Sequence, residues 1–269
     1  MTRLPRYGGV FHVLLAIPLV CYVLLVAGLV AGMFAAIPRE GWHMAWSNPD
    51  LASAVRLSLV TTTISTILAM AIAIPSGYML SRYRFPGQVI VDTVLDMPII
   101  LPPLVMGLAL LLFFSTPIGK WLDRGIVPGG LFVYQPLGIV LAQVVVGCAY
   151  AVRVMKTGFD NSDRRYEEVA MTLGANSVRT FMKVALPATW HSLVASTVIS
   201  WAQIIGLFGP VIVLCGTMRG RTEIMPTTIF LETSVGRIDT ALVIACLMVV
   251  MSMTMLVVFK RVGGGRLEL

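Results

Sequence analysis

A chain of 269 residues that is 57% hydrophobic and only 12% charged, with mean hydropathy +0.88, lacks the composition of a soluble domain, in which about 25% of residues are charged. It reads as an integral membrane protein of the all-α class. A β-barrel is excluded as the expectation, because the apolar runs show no short-range alternation of polar and apolar residues, and the net charge of +7 is not a nucleic-acid signal, because the basic residues gather in particular loops.

A bilayer crossing takes about 20 apolar residues. In chain order, six segments meet or nearly meet that length: 10–37, 57–79, 98–114, 131–152, 192–214 and 240–259. None contains Lys, Arg, Asp or Glu. The first is too long for a signal peptide and has no clean small-residue cleavage site after it, so it is expected to be a retained helix. Within it, Gly28 and Gly32 have the small-xxx-small spacing that lets helices approach, a pattern common by chance in apolar spans. The third span is the shortest, and residues 89–97 are expected to lengthen it.

That third span holds Pro98, Pro102 and Pro103 in PIILPPLVMG. Proline removes intrahelical hydrogen bonds, and in lipid the freed carbonyls need protein or a water-filled cavity around them. A turn lining a translocation path and a kink that aids packing both satisfy this. Asp92 and Asp96 stand one helical turn apart on one face. They read as interfacial residues near Arg82 and Arg84, or as functional acids at membrane depth.

The loops 38–56, 115–130 and 216–239 read as short capped turns, too small for a separate domain. Arg219 and Arg221, in the last of these, suit anion steering or contact with a binding protein; ordinary pairing with Glu223 or Glu232 explains them equally. The cysteines Cys21, Cys148, Cys215 and Cys246 lie in or at the edge of different spans without a CxxC pair, so packing is the expected role and neither a zinc site nor a redox motif is supported.

With the N-terminus placed in the cytoplasm, the inner segments carry 13 of the 20 basic residues and the outer segments 7. This bias fits six transmembrane helices with both termini cytoplasmic. The expected organisation is a first helix and outer loop over 1–53, a core of five helices over 54–259 and a tail over 260–269.

The inner loop 153–191 is the one long polar interruption. Asp163 is placed to cap a helix, with Glu167 and Glu168 in its first turns. Tyr166, Val169, Ala170 and Leu173 form an apolar stripe at helical spacing. Gly174 is placed to end that helix in the left-handed conformation. Ser177 is placed to cap a second helix with the stripe Val178, Phe181, Met182 and Ala185, which Pro187 ends or bends. Two short amphipathic helices need packing partners. Either one stripe packs on the membrane helices and the other awaits a second protein, or both pack internally or on lipid headgroups.

The spacing Glu-x-Ala-x-x-x-Gly, nine residues, an aliphatic residue, one more and Leu-Pro resembles the signature of the permease subunits of type I ABC importers. Glu168, Ala170, Gly174, Leu186 and Pro187 match it, while Val169 and Val184 replace Ala and Ile. The resemblance covers roughly residues 54–259. It implies that the hairpin between helices 4 and 5 is a coupling helix, with Tyr166, Glu168, Ala170, Leu173, Gly174, Ala175, Phe181, Leu186 and Pro187 forming the surface that meets a separate ATPase. It implies a second permease subunit as a homodimer partner, two ATPase subunits, an extracytoplasmic binding protein and the inner membrane of a prokaryote. Pro98, Pro102, Pro103, Gly206 and Gly209 become candidates for the pore or its gate. The chain has no phosphate-binding loop, and its only Gly-Lys pair, Gly119-Lys120, precedes Trp121 in an outer loop. No nucleotide, cofactor or metal is therefore expected in this chain, with ATP and Mg on the partner, and the chain is not expected to be an enzyme.

The phrases SRYRFPGQ, LDMPIILPPLVMG, RYEEVAMTLGAN, WAQIIGLFGPVIVLCG and MRGRTEIMPTTIF resemble the molybdate and tungstate branch of that family, with sulfate permeases close behind. Leu207 departs from the glutamate frequent there, which leaves another oxyanion, a different pore lining or simple drift open. Permeases for ferric iron or thiamine are the alternative within the family. A secondary carrier without an ATPase is the alternative of another class, disfavoured because the spans lack central acids.

Overall fold

In the computed structural model, residues 9–37, 49–125 and 129–262 are described, and among them every regular element is helical. Helix α1 (Gly9–Ala35) is apolar on all sides and exposes Leu19, Leu24 and Leu29, as a lipid-facing helix does. A side chain at Gly28 or Gly32 would meet nothing within 4 Å, so their spacing serves no contact here.

Helix α2 (Pro49–Arg82) is longer at both ends than the apolar span predicts. Its 34 residues begin with Asp50 in the first turn and finish with Arg82 in the last. Acid at the start and base at the end suit the helix dipole, so the charges that end an apolar run need not end the helix. One face buries Ala54, Ser58, Thr62, Ser65, Ala69 and Ala73. These small residues admit the close approach of α6 (Pro136–Asp160), whose Ile139, Ala142, Val146, Val152, Met155 and Phe159 face inward. At Gly77 an added Cβ would lie 2.9 Å from the Lys156 backbone nitrogen.

The third apolar span is two helices, α3 (Gln88–Ile100) and α4 (Pro103–Ser115), bent 114° from each other. Leu101 and Pro102 each precede a proline and take extended backbone, with ψ 140° and 135°. Pro103 then opens α4, where its missing N–H costs nothing. Residues 115–130, read from sequence as a turn, contain α5 (Pro117–Arg124). Its buried Asp123 accepts hydrogen bonds from the N–H groups of Leu131, Phe132 and Val133 at 3.0, 2.7 and 3.2 Å.

After α6 come the short hairpin helices α7 (Arg165–Thr172) and α8 (Ser177–Thr180). The fifth apolar span is also bent, by 54°, into α9 (Trp190–Ile205) and α10 (Gly209–Cys215). Residues 216–239 contain α11 (Met225–Ser234), and α12 (Ile238–Val262) is the last described helix. Among the described residues, four helices can cross a membrane by length and composition, α1, α2, α6 and α12, or up to six if each bent pair is one span. The core runs along α2 and α6, from Phe159 and Ala185 at the hairpin end to Leu214 and Ile224 at the far end. A third apolar cluster joins Leu51 and Met225 to Ile244 on α12.

Gly77→Val is expected to force α2 and α6 apart, costing about 1–3 kcal/mol. The check is a lowered melting temperature of the detergent-solubilised chain relative to wild type.

Candidate functional site

The hairpin is built by two helix ends. Helix α7 starts after Asp163, whose Oδ1 accepts the Arg165 N–H at 2.9 Å. At its other end Ala175 N–H reaches the Ala170 carbonyl and Gly174 N–H reaches the Met171 carbonyl, both at 3.0 Å. This paired closure places Gly174 at φ +88°, a region costly for any residue with a Cβ. The second helix is capped one residue earlier than expected: Asn176, not Ser177, accepts the Arg179 N–H through its side chain, at 2.8 Å. Pro187 lies in the last turn of this arm, which stops at Ala188 and breaks at Thr189 before α9. One π turn, Phe181–Ala185, passes the chain into Leu186–Ala188 and on toward α9, with Leu186 N–H bonded to the Phe181 carbonyl. The wider turn is where the helix accommodates a proline that has no N–H to give.

The two stripes separate. Tyr166, Val169 and Leu173 of α7 stand exposed, Leu173 by 83%, while Ala170 and Ala175 are half-buried. In the second arm Val178 and Met182 are exposed, but Phe181 and Ala185 turn inward, and Leu186 is half-buried beside an exposed Pro187. The Phe181 ring sits 4.7 Å from that of Tyr78 and 6.4 Å from that of Phe159. Glu168 is exposed and faces Arg164 one turn earlier at 3.7 Å.

The residue that sequence reasoning missed is Glu167. Its side chain is only 6% exposed. Oε2 accepts the Tyr78 hydroxyl at 2.7 Å and Oε1 accepts Arg82 Nε at 2.8 Å. Arg82 also donates Nη1 to the Phe159 carbonyl at 2.8 Å and Nη2 to the Ser162 carbonyl at 3.2 Å. One guanidinium therefore joins the end of α2, the last turn of α6 and the first turn of α7. The available signal was the pair of adjacent glutamates: neighbours on a helix point about 100° apart, so one faces inward when the other faces out.

Asp92 and Asp96 do not pair with Arg82 or Arg84. Asp92 holds Lys156 Nζ at 2.9 Å, and Asp96 pairs with Arg153. Acids one turn apart on α3 thus meet bases one turn apart on α6. Of the pore candidates, Pro103 and Gly209 come together: a Cβ on Gly209 would lie 2.9 Å from the Pro103 carbonyl carbon. Gly107 makes the matching approach to Pro210. Pro102 and Gly206 are exposed and Pro98 is half-buried. Leu207 is buried in an apolar cluster with Ile139, Val211 and Leu214, where a carboxylate would lack solvent. At the far end Arg219 bonds Glu232 at 2.9 Å and Arg221 bonds Gln135 at 2.9 Å. The four cysteines are unpaired, and among the described residues no cluster of three or more His, Cys, Asp or Glu is placed to hold a metal ion.

Apolar spans, broken helix pairs and a polar hairpin with an exposed apolar stripe define a multi-pass membrane protein. Residues 69–263 match the family model for the inner membrane component of binding-protein-dependent transport systems, and the chain belongs to that family. It is 30% identical over 218 residues to the sulfate transport system permease protein CysT of Escherichia coli, covering 79% of this chain and 77% of that one. It is 36% identical over 169 residues to the molybdate/tungstate transport system permease protein WtpB of Pyrococcus furiosus, covering 62% and 61%. A bacterial ABC transporter that imports alginate has the same fold, with TM-score 0.78 and 14% identity over 96% of both chains.

Asn176→Ala is expected to remove about 1 kcal/mol from the second hairpin arm, seen as roughly fivefold faster amide exchange at Arg179. A pH dependence follows from Glu223 at the far end. Burial raises its carboxyl above the usual 4.5, with Asp50 and Glu232 adding and Thr228 and Arg219 opposing. A raised folded-state value means that its stabilising contribution is complete below 4.5 and is lost as pH rises through that value. Glu223→Gln is therefore expected to flatten the fall of melting temperature with rising pH.

Proposed function

We propose that this chain is the transmembrane permease subunit of an ATP-driven importer of a tetrahedral oxyanion, molybdate or tungstate first and sulfate next. The observation that carries the reading is the exposed stripe Tyr166, Val169 and Leu173, beside the Gly174 closure on a hairpin whose spacing resembles the family's coupling segment. A large apolar side chain left 83% exposed on a polar loop suits a protein partner better than water. In this reading the hairpin is cytoplasmic and docks on an ATPase subunit. Each bent pair counts as one span, which gives six crossings with both termini inside. Two copies of the chain form the pathway beneath an extracytoplasmic binding protein. The broken spans that meet at Pro103 and Gly209 border that pathway, since irregular backbone at membrane depth needs protein or a water-filled cavity around it. Chemistry on ATP belongs to the partner, and this chain supplies the moving channel.

The oxyanion assignment draws on the relatives, whose names specify sulfate and molybdate/tungstate. These anions share tetrahedral shape and double negative charge. Arg219 is already committed to Glu232, so anion steering at the far end falls to exposed bases such as Arg221.

Leu173→Asp is expected to leave the folded yield unchanged, because the side chain touches little of its own chain, and to cut copurification of the ATPase by about 30-fold, the loss typical of a central apolar anchor. Retained copurification would remove the docking role. Calorimetry of the cognate binding protein with molybdate, tungstate and sulfate decides the cargo.

A further inference from the structure

The hairpin touches the membrane helices in two different ways. The second arm does so through apolar contacts, with Phe181 and Ala185 resting among Tyr78, Phe159 and their neighbours. Apolar contact is non-directional and permits sliding. The first arm, α7, packs mainly against the rest of the hairpin and makes no extensive backbone contact with α2 or α6. Beyond the short covalent link 161–164 from α6, its polar side-chain connection to them is Glu167, through Arg82 and Tyr78. That link is directional: a guanidinium fork holds a fixed geometry on each acceptor. It is also buried, with Arg82 and Glu167 side chains 8% and 6% exposed.

We propose that Glu167 is a positioning residue that makes α7 move as one body with α2 and α6, so that it sets how tightly ATP hydrolysis is coupled to transport. The proposal rests on the reading of the hairpin as the ATPase docking surface. Glu168, one residue on, faces outward and pairs with Arg164; it belongs to the docking face. Glu167 faces inward and belongs to transmission. Loss of the Glu167 charge leaves the docking stripe in place but lets α7 shift against α2, so hydrolysis continues while the spans follow it poorly.

The test uses the complete assembly of permease, ATPase and binding protein in liposomes, with ATP hydrolysis and uptake of molybdate and of sulfate measured in the same vesicles. Glu167→Gln is expected to keep ATPase copurification and hydrolysis within about twofold of wild type while uptake per ATP falls about 10-fold, inside the 5–150-fold range typical of coupling between sites. Tyr78→Phe keeps the ring against Phe159 and Phe181, removes one hydrogen bond, and is expected to lower the same ratio by a smaller factor. If uptake and hydrolysis fall together, or if the ratio is unchanged, the transmission role is overturned. Should Glu167→Gln fail to assemble, Tyr78→Phe decides: an unchanged ratio overturns the proposal and a lowered ratio supports it. If the wild-type chain captures no ATPase, the docking reading falls first and the proposal with it, an outcome distinct from any result in the variants.

Discussion

The buried guanidinium of Arg82 is the constraint on which the hairpin end of the molecule depends. Removing two charges from water costs several kcal/mol per ion, and attraction offsets that only when the geometry is good and the remaining donors are used. Here they are used. Glu167 takes one edge of the fork, and the Phe159 and Ser162 carbonyls take the rest. Those carbonyls lie at the C-terminal end of α6, where a helix leaves four acceptors without partners and carries partial negative charge. The arginine that ends one helix thus completes the end of another and anchors the start of a third. Removing one member of such a pair typically costs about 3–5 kcal/mol, because the other is left buried and uncompensated.

The remaining architecture separates rigid from broken elements. Helices α2 and α6 are continuous and pack through small residues along their length. The two apolar spans between them and α12 are each divided, one at Leu101 and Pro102, the other around Gly206 to Phe208. The divided pairs then pack on each other, α4 against α10, with glycine on each side of the crossing. Glycine at both contact points lets backbone meet backbone, so a small side chain at either place would act as a wedge.

Hydropathy located the apolar spans because lipid demands long apolar runs, and that demand is visible in any window of the chain. It could not locate helix ends: α2 runs on through Asp50 and Arg82, whose charges suit its dipole. The bends were half legible. Prolines announced the break at Leu101, but the 114° between the arms is set by what α4 packs against. Gly174 was legible because chirality restricts what a left-handed closure can hold. Asn176 was not, because Asn and Ser side by side are both good caps, and only the backbone chooses. Glu167 and Glu168 looked alike for the same reason: orientation on a short helix is decided by the partner across the gap, and Arg82 is 85 residues away in sequence. The short helices at 117–124 and 225–234 were hidden by their mixed composition, since the burial of Asp123 in the first and of Met225 to Thr228 in the second comes from neighbouring segments rather than from an apolar run of their own.

The length of α2 has a consequence of its own. At one end Ser58 Oγ accepts the first amide of α11, Met225 N–H, at 2.8 Å; at the other, Arg82 grips the hairpin. These two attachments are 24 residues apart in one helix, roughly 36 Å at 1.5 Å per residue. A tilt of about 5° over that reach displaces the far attachment by about 3 Å. A small rotation at the hairpin is therefore enough to move the Ser58 contact with the start of α11 at the far end of that reach.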